Sequence, residues 1–290
     1  MTALVYPNLK KPNSLLCTEQ ACEVLMSEEC KILMDSEYEP TFGRSGEISY
    51  LPAEECFARC DVVVVTGGDG TILRCAGLAS RYDKPILGIN CGTLGFMASL
   101  EAEEIYRLRY ICRGEYSMTE RMMLNIRVIK EDGSTVSADV LNDAVLMKGE
   151  DCKIADFQVI KSGSTVSELR ADGVIFSTPT GSTAYSLSAG GPIIEPDMQC
   201  IEFSQICAHT LFSRTVVFSP DSVVSVKCHC AEGAHVTLTA DGDLIAKLSP
   251  ADVAEIRRSE LKTRIIDLTG GSFFRTLNRK LMTPLKQLSR

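Results

Sequence analysis

Nowhere in the 290 residues does an apolar run approach the eighteen or so needed for a membrane-spanning helix. There is no tryptophan, and no basic amphipathic helix stands out that could lie on a bilayer. The start, MTALVYPNLKKPNSLLC, lacks the basic head and long apolar stretch of a secretory signal. A cytoplasmic protein without a membrane partner is therefore expected. Basic residues are the minority, 30 Lys and Arg against 38 Asp and Glu, for a net charge of -8. A duplex-binding surface needs clustered Lys and Arg to displace counterions, so nucleic acid is not an expected partner.

Paired cysteine spacing is missing too. Thirteen cysteines, an odd number, run from Cys17 to Cys230 with no CxxC among them. In a reducing compartment they read as small buried hydrophobes or free thiols. The segment KCHCAE (227 to 232) would set Cys228 and Cys230 on one face of a strand, the one hint of a metal site, but no second ligand pair stands at a sensible spacing. No internal repeat and no low-complexity linker is present. What is there, 45% hydrophobic and 23% charged residues, is the composition of a folded globular chain, and its length suits two domains.

The first third alternates strand and helix patterns. Short apolar strands are expected at 2–6, 31–34, 62–65 and 85–90. Helices are expected where Cys17, Ala21, Val24 and Leu25 share a face, at 53–60, at 71–82, and where Ile105, Leu108 and Ile111 form a stripe. That order implies a parallel sheet covered on both faces, with ligands at the carboxyl ends of its strands. After about residue 115 the period becomes two. MLNIRVIK (123–130), VVSVKC and HVTLTA alternate, and Asp-Gly turns stand at 132–133, 172–173 and 241–242. The expected fold is an N-terminal doubly wound α/β, Rossmann-like domain over residues 1–115 and a C-terminal all-β sandwich over 116–269. A helical tail, 270–290, is expected to return to the first domain, with the junction of the domains as the natural pocket.

The stretch VVVVTGGDGTIL (62–73) runs a valine strand into Gly67, Gly68 and Gly70 ahead of an apolar helix, an arrangement in which bare amides and a helix start face a phosphate. It matches neither G-x-x-x-x-G-K-[ST] nor G-x-G-x-x-G. With no lysine in the turn, a bound triphosphate would be neutralised mainly by Mg²⁺ or another divalent cation. Asp69 then has three readings: a turn acid bonded to its own backbone, a metal ligand, or a general base taking a proton from an attacking hydroxyl.

GGDGT at 67–71, GINCGTLGF at 88–96, Asn142-Asp143, and DGVIFSTPTGSTAYSLSAGGPI at 172–193 together resemble the NAD kinase family, of bacterial type, over most of residues 2–275. The resemblance implies transfer of the terminal phosphate of ATP to the adenosine 2'-hydroxyl of NAD, making NADP, with a divalent cation and no protein metal site assigned. It implies Asp69 as the acid that activates the hydroxyl, and Gly67, Gly68, Gly70 and Thr71 as the phosphate turn. Asn142 and Asp143 would hold the adenosine part, Asp143 being shorter than the Glu common there. Thr183, Ala184, Tyr185 and Ser188 would line the adenine pocket, Asp172 would bind the other nucleoside, and Phe96 would pack on adenine. Arg170 could meet a phosphate or merely a surface acid, and His209 could shuttle a proton or be structural. Asp241-Gly242-Asp243 departs from the family's common Asp-Gly-Gln and leaves that turn's contacts open, and no contact is assigned to Asn90 or Cys91. A homodimer or homotetramer through the β domain is implied as well. Lipid or sphingoid kinases share the glycine turn and are one alternative. A dinucleotide sensor that binds NADP without making it is the other.

Overall fold

The computed structural model describes residues 1–11, 13–44, 46–92, 95–150, 152–210, 213–270 and 273–282. Thr93 and Leu94 of the second glycine block, and the tail beyond 282, lie outside the described residues. Two compact units emerge, one of residues 1–120 with 263–290 and one of residues 121–262. The chain leaves the first unit within the strand Ser117–Ile129 and re-enters it within the strand Val253–Asp267.

The first unit is a parallel sheet with helices. Ile48–Leu51, Lys31–Asp35, Thr2–Pro7, Val62–Gly67 and Ile86–Asn90 lie side by side in that order, each neighbour pair parallel, and Ile265 continues the sheet beside Ile86. In chain order this is 3-2-1-4-5, so the direction of winding reverses between Thr2–Pro7 and Val62–Gly67, and a crevice opens at the carboxyl ends of those two strands. Six residues of Val62–Gly67 are buried without a break, which is why the segment is valine-rich rather than alternating. Each buried valine contributes roughly 1.5 to 3 kcal/mol. Helix Ser14–Ser27 supplies Cys17, Ala21, Cys22 and Leu25 to the core, and helix Asp69–Arg81 buries Ile72, Cys75, Ala76 and Ala79 at helical spacing.

Two expectations for this unit change. The strand Ile48–Leu51 has no counterpart in the reading, being four residues with only Ile48 buried. The stripe of Ile105, Leu108 and Ile111 is buried as expected, but on a 3₁₀ stretch, Ala102–Leu108, followed by one α-helical turn, Arg109–Cys112.

The second unit is antiparallel throughout. One sheet orders Val216–Phe218, Ile201–Ile206, Gly173–Ser177, Asp143–Lys148, Val236–Ala240 and Asp243–Leu248. Opposite it, Ser164–Ala171, Ala155–Lys161 and Val224–His229 pair in turn, and Ser117–Ile129 pairs with Thr135–Val140. One core joins the inward side chains of both layers, Leu124, Phe157 and Val226 from one and Leu146, Phe176 and Leu238 from the other. Phe176 and Phe203 stack with centroids 5.2 Å apart. The α/β unit followed by a β sandwich is the fold class expected.

Among the described residues all thirteen cysteines are free, and only Cys112 and Cys207 are not fully buried. Burial pushes the Cys228 thiol up to about 12, so it is a poor metal ligand at neutral pH. No three His, Cys, Asp or Glu side chains converge among the described residues. No helix among them is long and apolar enough to cross a membrane. The tail does contain a basic amphipathic helix, Phe273–Met282, carrying Arg275, Arg279 and Lys280, which corrects the reading that none was present.

Candidate active site

The glycine turn is tighter than its sequence suggests. Gly68 is extended (φ -137°, ψ -175°) and caps the helix Asp69–Arg81, so Asp69 is the first helical residue rather than a turn residue. No cap side chain bonds the start of this helix, and Thr71 N turns back to Gly68 O at 2.8 Å, so the Asp69 and Gly70 amides are the ones left at its positive end. The glycines divide by role. A Cβ at Gly67 would overlap Thr71 Oγ1, so that position is closed by packing. At Gly68 and Gly70 a Cβ would meet nothing within 4 Å. The fold does not demand glycine at those two, whereas an approaching anion would.

The second glycine block returns beside this turn because Ile86–Asn90 is the neighbouring strand. It fixes the acid: Asp69 Oδ2 accepts from Phe96 N at 2.7 Å and Oδ1 from Met97 N at 3.1 Å. The local reading of Asp69, bonded to its own turn, is thereby corrected, since the partners lie 27 and 28 residues away. A Cβ at Gly95 would overlap the Asp69 carboxylate, so glycine there is what lets the loop close on it. Each carboxylate oxygen keeps a lone pair for a further donor.

Around this acid is a cavity of about 360 Å³ lined by Gly67 to Thr71, Gly92 and Gly95, with Asn8, Lys11, Arg74, Asn90 and Lys280. Asn8 follows the first strand and donates from Nδ2 to Thr71 Oγ1 at 2.9 Å, closing the crevice at the reversal of strand order. Asn90 donates to Glu101 Oε2 at 2.8 Å. Lys280 Nζ stands 3.7 Å from Asp69 Oδ2 and 4.1 Å from the centroid of the Phe96 ring. Of these five side chains none was singled out from the sequence. Asn8 and Lys280 become neighbours of the turn only through tertiary structure, although GINCG did flag the stretch around Asn90.

In the second unit Asn142 and Asp143 lie where the strand Thr135–Val140 gives way to Asp143–Lys148. The Asp241-Gly242 hairpin turn, left open above, clamps them. Asp241 Oδ2 accepts from Leu141 N at 2.8 Å, and Oδ1 from Asn142 N at 2.8 Å and Asp143 N at 3.1 Å. Asp241 has φ +49° and Gly242 +91°, the left-handed pair of a tight hairpin. Burial, then the nearby Asp241 and Glu202, push the Asp143 carboxyl up to about 7. Asp241 is pushed up to about 6, chiefly by burial. Asn142 Oδ1 is buried and has no hydrogen-bond partner among the described residues.

STPTGSTAYS folds against this loop. Thr178 N donates to Asn142 O at 2.9 Å, and a Cβ at Gly181 would overlap that same peptide. Thr183 ends a 3₁₀ turn, Gly181–Thr183, and Ala184 precedes the short helix Tyr185–Ser188, with Tyr185 and Ser188 exposed. Ser186 is buried and donates to Glu202 Oε1 at 2.5 Å. Asp172 lies just before the strand Gly173–Ser177, with Oδ1 2.6 Å from Lys148 Nζ. Arg170 meets the surface acid, not this cluster. Its Nε donates to Asp156 Oδ1 at 2.8 Å across two strands, because register sets the pair opposite each other. His209 is exposed, its backbone N–H donating to Arg170 O at 2.7 Å.

Comparison with known proteins names the family. A model described as the ATP-NAD kinase N-terminal domain matches residues 6–116, and one described as the ATP-NAD kinase C-terminal domain matches residues 141–268. The NAD kinase of Caldanaerobacter subterraneus subsp. tengcongensis is 36% identical over 278 residues, covering 96% of this chain and 97% of that one. The crystal structure of yeast NADH kinase complexed with NADH has the same fold, at TM-score 0.89 and 23% identity over all of this chain and 90% of the other. An NAD kinase from Archaeoglobus fulgidus in complex with ATP superposes at TM-score 0.71 with 25% identity, covering 96% of this chain and 97% of that one. A glycine turn that offers bare amides around a fixed carboxylate, on a chain matched from end to end by these proteins, belongs to a phosphotransferase: the chain is a member of the NAD kinase family.

Proposed function

We infer that Asp69 is the general base of this NAD kinase and that the cavity around it receives the transferring phosphate of ATP. One observation carries the assignment: the Asp69 carboxylate is fixed by the Phe96 and Met97 amides at the rim of a glycine turn left open at Gly68 and Gly70. In the reaction the adenosine 2'-oxygen of NAD bonds to the terminal phosphorus, the bond from that phosphorus to the oxygen of ADP breaks, and the hydroxyl proton passes to Asp69. Such transfers run through a loose transition state, so most of the acceleration comes from alignment and charge neutralisation. The open amides and the positive end of helix Asp69–Arg81 supply part of that charge.

Mg²⁺ or another divalent cation belongs to the donor in this reading. Asp69 is the single carboxylate among the described lining residues, which suits an ion held mainly by phosphate oxygens and unsuits a resident metal site. The ion would neutralise charge on the triphosphate.

Asn142, Asp143, Thr183, Ala184, Tyr185 and Ser188 are assigned to the adenosine part of NAD. The unpartnered Asn142 Oδ1 would accept from the adenine amino group, and the exposed Tyr185 ring offers a stacking face. Asp172 is assigned to the other nucleoside through the oxygen not facing Lys148, and Phe96 to adenine through the ring face not covered by Lys280. The protein is proposed to work in the cytoplasm as a homodimer or homotetramer.

The test is NADP formation from NAD, ATP and Mg²⁺ by the wild type and by Asp69→Asn. The wild type makes NADP, and the variant binds NAD as before but turns over about 10² to 10⁴ times more slowly. Normal turnover with weakened NAD binding in the variant removes Asp69 from the role. A wild type that binds NADP but makes none with any phosphoryl donor is a sensor, not a kinase.

A further inference from the structure

A glycine turn without a lysine leaves a charge problem. The phosphates it would hold are strongly anionic, and Asp69 in the same cavity repels them. Nothing from 66 to 73 offers a cation to the turn itself. Tertiary structure delivers one from the far end of the chain.

Helix Phe273–Met282 meets Phe96 at two points. The Phe273 ring lies 6.3 Å from the Phe96 ring, and Lys280 Nζ lies 4.1 Å over that ring. Residues 273 and 280 are two helical turns apart and share a face, so the helix straddles the residue whose amide fixes Asp69. Lys280 is only half-exposed. Its Nζ is 3.7 Å from Asp69 Oδ2, near enough for an ion pair and too far for a hydrogen bond. No hydrogen bond engages its three N–H donors among the described residues. The ammonium is thus placed by a ring and a carboxylate at the wall of the cavity, which Lys280 lines. Lys11 and Arg74 also line the cavity, but both are exposed and neither pairs with Asp69.

We propose that Lys280 binds the transferring phosphate of the donor, supplying from the C-terminal helix the lysine that the glycine turn lacks. Before the phosphate arrives the ammonium pairs with Asp69. When the phosphate enters, the flexible stem carries Nζ onto a phosphate oxygen, a stronger acceptor than a carboxylate beyond bonding distance, and frees the Asp69 oxygen for the acceptor hydroxyl. The proposal rests on the kinase reading above, which is judged first: if the wild type makes no NADP, that reading fails before any variant is compared.

The experiment is steady-state kinetics of Lys280→Met, Lys280→Arg and Arg279→Met with ATP and NAD varied in turn, beside equilibrium binding of a non-hydrolysable ATP analogue and thermal unfolding. Arg279 is the control, an exposed cation on the same helix that does not line the cavity. Lys280→Met is expected to raise KM for ATP and weaken analogue binding by about tenfold or more, as loss of a charged hydrogen bond does. Its KM for NAD and its unfolding midpoint stay where they were, and Lys280→Arg recovers much of the loss. Unchanged ATP kinetics in Lys280→Met overturns the proposal. So does a rise in both KM values with a lowered midpoint, which would make the helix merely structural, and so does an equal effect of Arg279→Met, which would trace the loss to the charge of the tail.

Discussion

The two units treat their key carboxylates in opposite ways. In the α/β unit, Asp69 accepts from two backbone amides and stands 3.7 Å from an ammonium, at the rim of an open cavity. In the β unit, Asp143 is buried beside a second carboxylate, and the available amides go to Asp241 instead. The same side chain therefore serves two ends. Where donors converge and solvent space remains, a carboxylate is ready for chemistry. Where burial and a like charge dominate, it holds its proton up to near neutrality.

The sharpest way to break this contrast is to move Asp69 without changing it. Gly95→Ala puts a methyl group where the carboxylate now sits, and the end of a side chain yields more easily than backbone. Turnover is expected to fall about 10²-fold, the cost of roughly an ångström of misplacement, with folding preserved. Gly68→Ala, where a Cβ meets nothing, is the companion: it should fold normally and raise KM for ATP through contact with the phosphate. Kinetics and unfolding curves of the pair check this. A Gly95→Ala enzyme of normal turnover would show that turnover does not depend on how the Phe96 and Met97 amides hold Asp69.

Why the turn was readable and its surroundings were not has a physical cause. The valine run and the glycines are local signals, because a strand buried on both faces must be apolar throughout and close approach to backbone demands glycine. The four-residue strand Ile48–Leu51 has too little burial to stand out, and a buried stripe at 105, 108 and 111 suits a 3₁₀ and an α segment alike. Asn8, Lys280 and the Asp241 clamp come from strand order, from a returning helix and from a hairpin a hundred residues away. No local pattern encodes them. The Asp241-Gly242 turn was legible as a turn; that its carboxylate binds the Asn142 loop was not.

A second prediction tests the β unit. Asp143 is raised from 3.8 to about 7 in the folded protein. Between about pH 4 and 7 the native state keeps a proton that the unfolded chain has lost. Asp143 thus contributes stability that is full below pH 4 and lost as pH rises through 7. Asp143→Asn should match wild type near pH 4 and exceed it at pH 8 by about 2 to 4 kcal/mol. Urea midpoints at the two pH values, at constant m, measure the difference. A variant less stable than wild type at pH 8 would mean that the ionised carboxylate is well solvated after all.

The smallest effect is expected at Arg170. Its guanidinium is bound to Asp156 on an exposed part of the β unit, where water screens the pair and two long side chains lose freedom to make it. Arg170 and Asp156 also border a shallow cavity of about 510 Å³ with Gln158, Glu168, Lys227 and His229, and none of the residues assigned to adenosine lines it. Arg170→Ala should leave the unfolding midpoint and both KM values within error, because neither the Asn142 loop nor the Tyr185 helix leans on it. A severalfold rise in KM for NAD would show that the guanidinium leaves Asp156 for the dinucleotide. The contrast between the two units would then narrow, since the β unit would also hold a cation in reserve for its ligand.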